Sequence, residues 1–137
     1  MSWDQSLVRI STYEVEVLQK RLAEIADRRG RAELALTALI AEGEAEAVTA
    51  RASAEAGWYH LGFLEGLRER KAAAQAEIDR LALEEAGARE ALTEAFEEQK
   101  KYEQVSDNLQ RAKAKARERV EAAQMDEIGL RRAAAGR

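Results

Sequence analysis

The residues best suited to chemistry lie in one short stretch, 56–71, which reads AGWYHLGFLEGLRERK. It contains the only histidine of the chain, His60, beside Trp58, Tyr59 and Phe63. Histidine changes charge near neutral pH, so it can act as a general acid or base or as a pH-sensitive switch. A catalytic histidine needs further reactive groups, whereas the sequence around this stretch is dominated by Ala, Glu, Arg and Leu. We therefore interpret His60 as a partly exposed helix residue beside a turn.

Motifs for other kinds of chemistry are absent from the sequence. It contains no GxxxxGK[ST], no GxGxxG after a strand and no HExxH. One histidine and no cysteine exclude most ordinary metal cages. The carboxylate pairs Glu84–Glu85 and Glu97–Glu98 are adjacent in sequence, so on a helix the two members of each pair point to different faces. The sequence predicts no catalytic residue, no metal site, no cofactor and no enzyme.

The composition is that of long helices. Of 137 residues, 35% are charged and 5% aromatic, and there is no proline. Most of the apolar 46% is alanine, which buries little area, and this pattern is typical of coiled coils. The net charge of −4 argues against nucleic acid as a partner. The N-terminal segment lacks a secretory pattern, no window is apolar enough to enter a membrane, and the absence of cysteine suits a reducing compartment.

A seven-residue repeat places apolar side chains along one helical stripe. With Val8 at heptad position a, apolar residues occupy the a and d positions more often than they occupy the chain as a whole. We call the a and d positions the seam. Its predicted large members are Leu18, Leu22, Ile25, Leu36, Ile78, Leu81 and Leu92.

The seam fails between Leu39 and Leu64, where its positions are mostly Gly, Glu, Ser and His. We therefore predict one domain over 1–137, with a first helix at about 4–52, a turn at about 52–58, a second helix at about 58–131 and a frayed tail. Ser53 would cap the second helix and Gly57 would belong to the turn. The fold class is all-α: a long antiparallel two-helix coiled-coil hairpin with unequal arms. Paired residues should have numbers that add up to about 110–117, which leaves the last 20 or so residues without a partner.

Two polar residues at seam positions, Arg29 and Glu85, would lie near each other in this register. One interpretation is that they pair and fix the register. The other, which we favour, is that each extends to solvent at the edge of a thin interface.

The aromatic residues near the turn have two interpretations. They could pack back on the first helix and close the hairpin, or part of the cluster could face outward as a docking surface. We predict that Trp58 and Tyr59 close the hairpin, and that Phe63 and one face of Leu67 remain for a partner. Leu64 and Leu67 would also restart the seam.

Four segments, in this order and at this spacing, resemble the FliJ family of bacterial flagellar type III export proteins. They are LVRISTYEVEVLQKRLAEI, WYHLGFLEGL, EAFEEQKKYEQV and AQMDEIGLRR, and together they span nearly the whole chain. The resemblance implies an antiparallel hairpin similar to the central stalk of a rotary ATPase. It also implies a cytoplasmic location, peripheral to the inner membrane at the flagellar base.

The resemblance further implies three partners. The end that holds both termini would enter the hexameric flagellar export ATPase, through Val8, Val15, Met125, Asp126, Glu127 and Arg131. The middle of the chain would contact the cytoplasmic domain of the large export-gate protein, through Leu39, Phe63 and Leu67. Export chaperones would be the third partner. Family members can carry tyrosines after the leucine that matches Leu39, where this chain has Glu42 and Glu46.

Two other classes of function stay open at this point. One is a scaffold in which each chain forms one continuous helix and dimerises in parallel, because the heptad phase is unbroken across 43–60. The other is a protein whose basic segment 111–119 binds anionic lipid or RNA.

Overall fold

The computed structural model describes residues 2–136 and contains two helices. Helix α1 is Trp3–Ala50, with 48 residues, and helix α2 is Ala54–Ala135, with 82 residues. No strand occurs among the described residues. This confirms the all-α hairpin with unequal arms. The alternative of one continuous helix is wrong, because the chain leaves the helical conformation at 51–53.

The start of α1 is fixed by its own side chains. The backbone N–H of Ser2 donates to Oε1 of Gln5 at 3.3 Å, and the N–H of Ser6 donates to the carbonyl of Ser2 at 3.0 Å. The first contact is half of a capping box, in which the third helical residue reaches back to the cap. Asp4 lies in the first turn, where a carboxylate is favoured by the helix dipole.

The turn is shorter than predicted and begins earlier. Ser53 is the N-cap of α2, since its Oγ accepts from the N–H of Ala56 at 3.1 Å. With this cap, α2 begins at Ala54. Gly57 therefore lies inside α2, and its N–H donates to the carbonyl of Ser53 at 3.1 Å. No described residue has a positive φ, so the conformational freedom of Gly57 is unused. At its other end α2 continues to Ala135, beyond the predicted limit near 131.

The internal contacts of the chain fall into two units. One comprises Glu16–Glu94; the other joins the segment up to Val15 with the segment from Ala95 onwards. Each unit contains a part of both helices. The assignment of the whole chain to one domain stays a prediction.

The seam forms the core of the unit Glu16–Glu94. Ile25, Leu67, Leu81 and Ala88 are buried there. The other predicted members, Leu18, Leu22, Leu36, Ile78 and Leu92, are half-buried, as expected for an interface of only two helices. Leu64 is a correction: it is 40% exposed, so the seam restarts at Leu67 alone.

Arg29 and Glu85 form an ion pair across the helices of this unit. Glu85 is only 4% exposed, and its Oε2 lies 2.6 Å from Nε of Arg29. The N–H of Nε is not aimed well enough to count as a hydrogen bond. Arg89, one turn along α2, supplies a well-formed bond to Oε1 of Glu85 at 2.7 Å. Our expectation that Glu85 extends to solvent is therefore wrong, because two guanidinium groups compensate the buried carboxylate.

Gly43 provides a notch in α1 for a side chain of α2. A Cβ atom at this position would lie 2.6 Å from Cδ2 of Leu67, which is 2% exposed. The absent side chain of Gly43 therefore makes room for Leu67, the buried residue of α2 nearest the turn.

The second unit has a core with a large polar share. Val15 and Ala95 are buried, and so are Asp4 and Ser11. Oγ of Ser11 donates to the carbonyl of Val8 at 2.8 Å, which satisfies the buried hydroxyl within its own helix.

Two bonds join the helices of this second unit. Ser106 Oγ donates to Oδ2 of Asp4 at 2.9 Å, and Gln99 Nε2 donates to Oγ1 of Thr12 at 3.1 Å. The two residue numbers of each pair add up to a value within the predicted range of about 110–117, so the helix segments of this unit are antiparallel.

Within residues 2–136, neither helix contains a stretch long and apolar enough to cross a membrane.

Candidate partner-binding surfaces

The first candidate surface, which we call the mid-chain patch, consists of Leu39, Phe63 and Leu67. The structure places all three in the unit Glu16–Glu94. Leu39 and Phe63 are half-buried, whereas Leu67 fills the notch at Gly43. Leu67 therefore offers almost no surface to a partner in this conformation, and Phe63 is the member of the patch best placed for direct contact.

Phe63 is surrounded by charged and aromatic groups. His60 stacks on it with ring centroids 6.4 Å apart, and Cζ of Arg70 lies 5.9 Å from its centroid in a cation–π arrangement. Arg70 also lies 3.8 Å from the carboxylate of Glu42 on α1. Glu42 thus has a structural partner at one of the places where family members can carry tyrosine.

Trp58 and Tyr59 do not close the hairpin, contrary to our prediction. They are 71% and 63% exposed and pack on each other edge to face, with centroids 5.4 Å apart. Leu61 and Val48 are each 67% exposed. Because α2 begins four residues earlier than expected, at Ala54, Trp58 and Tyr59 lie one turn inside the helix and project from its outer side.

The second candidate surface, which we call the terminal patch, was predicted to consist of Val8, Val15, Met125, Asp126, Glu127 and Arg131. The members on α1 are covered by the helix interface, whereas the members on α2 are exposed. On α1, Val15 is 4% exposed and Val8 is half-buried, so both belong to the helix interface. On α2 all four members are exposed, and Arg131 donates to Glu127 at 2.8 Å.

Bulky apolar residues on the outer side of α1 were not among the site residues predicted from the sequence. Trp3, Ile10 and Tyr13 are 63%, 63% and 67% exposed. Their spacing of seven and three residues places them along one helical stripe, which lies away from the seam. This spacing can be read from the sequence. The seam, however, accounts for the same segment of α1 and extends through the whole chain, so the outer stripe was not assigned to a site.

Asp4 is the most unusual ionisable group of this region. It is 2% exposed, and the neighbouring hydroxyl of Ser2, and then that of Ser106, which donates to Oδ2, lower the pKa of its carboxyl against the opposing effect of burial. The charge of Lys113 acts in the same direction. The buried side chain of Asp4 therefore anchors the start of α1 on Ser106 of α2.

The basic segment 111–119 divides its charges between two sides of α2. Its Lys and Arg residues occur at every second position, so Arg111, Lys115 and Arg119 lie along one side of α2, and Lys113 and Arg117 lie along the opposite side. Glu118 interrupts them further. A binding face for lipid or RNA would need these charges on one side, so the geometry does not favour that function.

Among residues 2–136, no group of three or more His, Asp or Glu side chains is arranged to hold a metal ion. The exposed features are apolar side chains and ion pairs on helix surfaces, which suit contacts with other macromolecules.

The fold and these surfaces define a class: two long, packed helices with exposed apolar residues near the turn and towards the chain ends. Within that class, the chain belongs to the FliJ family. Two curated relatives, each named flagellar FliJ protein and each from a strain of Caulobacter vibrioides, are 53% identical to it over 134 residues. The match covers 98% of this chain and 96% of each relative. No family model and no solved structure matches the chain.

Proposed function

We propose that this protein is a non-enzymatic stalk of the flagellar type III export apparatus. It couples the hexameric export ATPase to the export gate and handles export chaperones, in the cytoplasm beside the inner membrane. Membership of the FliJ family supports the flagellar role. The observation that carries the coupling role is the free end of α2, where every residue from 115 to 136 is exposed.

The free end of α2 is the proposed ATPase-binding element. A single helix can enter a channel that is too narrow for a compact domain, and Met125, Asp126, Glu127 and Arg131 are all accessible on it. Val8 and Val15 lie in the helix interface, so their proposed part is to hold α1 in place beside α2.

The mid-chain patch is the proposed contact for the export gate. Phe63 is accessible at its edge, and Arg70 and Glu42 fix its surroundings. Leu39 borders the patch, and Leu67 supports it from beneath through its contact with the Gly43 notch.

An ATPase assay tests the coupling role. The purified export ATPase is measured with the wild-type protein and with a Met125→Ser, Asp126→Asn, Glu127→Gln variant. We expect the wild-type protein to promote ring assembly and turnover, and the variant to do so several-fold less. If ring assembly and ATP turnover do not respond to the wild-type protein, the coupling role is wrong.

A binding assay tests the export-gate contact. Phe63→Ala should weaken binding to the cytoplasmic domain of the gate protein while helix content stays normal. Leu83→Ala is the matched control, because Leu83 is 76% exposed on the same helix and lies outside the patch. Equal binding by the two variants would remove Phe63 from the site, and loss of helix content in Phe63→Ala would assign it to the core.

A further inference from the structure

We propose that the free end of α2 pairs in an antiparallel fashion with the same segment of a second copy. The segment concerned is 109–134, which we call the overhang. This pairing is separate from the proposed ATPase contact and does not depend on it. Three observations carry it: the exposure of the overhang, its apolar stripe and the division of its charge.

The exposure leaves a long helix without support. Among the described residues, the interhelix hydrogen bond farthest along α2 is that of Ser106 with Asp4, and the last half-buried residue of α2 is Ala114. Beyond them, every residue from 115 to 136 is exposed. A lone helix of this length is marginal in water, because most helix stability in proteins comes from packing of an apolar face.

The overhang carries such an apolar face. The heptad phase of α2 continues through it, with a half-buried Leu109 and then Ala116, Ala123 and Leu130 at d, and with Val120 at a between the charged a residues Lys113 and Glu127. Val120 is 57% exposed and Leu130 is 72% exposed. Ala116 and Ala123 are small and lie on either side of Val120, which allows two such helices to approach closely there.

The distribution of charge along the overhang indicates which partner it would bind. Residues 111–119 contain five basic side chains and one acidic one, whereas residues 121–130 contain three acidic side chains and no basic one, followed by Arg131 and Arg132 at the end of the overhang. A parallel pair would place the basic halves together. An antiparallel pair places the basic residues 113–119 of each copy opposite residues 124–130 of the other copy, which include Asp126 and Glu127, and this makes a second copy of this chain a complementary partner.

The heptad positions define the register of the pair. Val120 of one copy lies opposite Ala123 of the other, and Ala116 lies opposite Glu127. In an antiparallel coiled coil, g positions face g positions. Arg119 of each copy then faces Asp126 of the other, so the ion pair occurs twice, and no two like charges face each other at the e and g positions.

Charge reversal tests the pairing in the full-length protein alone. Sedimentation should show a monomer–dimer equilibrium at concentrations between about 10 µM and about 1 mM, weaker at high salt. Arg119→Glu and Asp126→Arg should each weaken the dimer about tenfold, since each replaces two attractions with two repulsions. The double variant should restore the wild-type affinity, because both ion pairs re-form with their charges exchanged.

Arg111→Glu is the matched control. Arg111 lies at heptad position f, on the side away from the stripe, and the substitution changes charge as Arg119→Glu does. It should leave the dimer unchanged. An equal loss of affinity in Arg111→Glu and Arg119→Glu would overturn the register, and a monomer throughout the concentration range would overturn the proposal.

Cysteine cross-linking reads the direction of the two helices independently. The chain contains no cysteine, so single cysteines can be introduced without background. Ala112→Cys mixed with Ala133→Cys should form a disulfide-linked heterodimer, because both positions are g and face each other. Neither variant alone should cross-link. Cross-linking of Ala112→Cys with itself would show a parallel pair and contradict the proposal.

The experiment is independent of the ATPase. If the dimer does not form, the proposed coupling role is unaffected, and if the ATPase does not respond, the dimer can still be measured. If both hold, the two uses of the overhang exclude each other, since the ring and the second copy would cover the same stripe.

Discussion

Gly43 determines how closely α1 and α2 approach within the unit Glu16–Glu94. Gly43→Ala would place a methyl group 2.6 Å from Cδ2 of Leu67, and the burial of Leu67 leaves that side chain little room to move. We expect a loss of about 1–3 kcal/mol in the free energy of unfolding, measured by urea denaturation.

Gly30 offers the matched control for this substitution. A Cβ atom there would meet nothing within 4 Å. Gly30→Ala should therefore stabilise the protein by about 0.5–1 kcal/mol through helix propensity. A Gly43→Ala protein as stable as Gly30→Ala would show that the notch is not needed.

The pair of Arg29 and Glu85 is a second residue-scale determinant. Arg29→Ala leaves the buried carboxylate with Arg89 alone. Because the side chain of Arg29 is 36% exposed, we expect a loss of only about 1–2 kcal/mol by urea denaturation. Replacing both Arg29 and Glu85 with leucine should recover most of it. Arg31→Ala, which breaks an exposed pair with Asp27, should cost less than about 0.5 kcal/mol.

Asp4 should make the stability of its unit sensitive to acid. In the folded protein the pKa of this carboxyl lies below its ordinary value of 3.8. As the pH falls, the carboxylate is therefore protonated in the unfolded chain at a higher pH than in the folded protein. The stabilisation is therefore complete above that value and is lost as the pH falls through the folded pKa. Asp4→Asn should lower the Tm at neutral pH and reduce the fall in Tm on acidification. An unchanged pH profile would contradict this role.

At the scale of the elements, the cap at Ser53 defines where α2 begins. Ser53→Ala removes the acceptor for the N–H of Ala56 and should cost about 1 kcal/mol by urea denaturation. Ser53→Asp keeps an acceptor and should retain the stability. If Ser53→Ala is neutral, the exposed turn obtains its hydrogen bonds from water instead.

The two helices and most of their interface could be predicted from the sequence, because the seven-residue repeat is a long-range pattern. Ile25 and Leu81 are buried as the repeat requires. The exceptions lie near the turn, where small residues allow close approach and the repeat carries little information. Leu64 and Trp58 were misplaced there, since the repeat does not specify which sides of α2 remain uncovered after Leu67 enters its notch.

The candidate surfaces were less predictable than the fold. The family resemblance supplied positions, but it did not distinguish an exposed residue from one that packs between the helices. Val15 and Leu67 are examples, since each was assigned to a partner and each is buried. The exposed Trp3 and Tyr13 were not assigned, because their stripe is short and the seam accounted for the same segment.

At the scale of the whole molecule, the exposed end of α2 should be dispensable for the stability of the rest. Deletion of residues 115–137 removes no side chain described as buried. In urea denaturation at a few µM, where self-association is negligible, we expect a change of less than about 0.5 kcal/mol. Helix content should fall in proportion to the residues lost. A large drop in stability would show that the segment supports the hairpin.

The connection at 51–53 also has a consequence for the order of folding. Because only three residues separate the helices, contacts near the turn close small loops, whereas the bond between Ser106 and Asp4 joins residues 102 positions apart. The entropy cost of loop closure grows with loop length. Pairing of the two helices should therefore start beside the turn and proceed from there towards the chain ends. The end of α1 that holds Asp4 would then engage last and detach first, so amide exchange within the paired part of the helices should be fastest there.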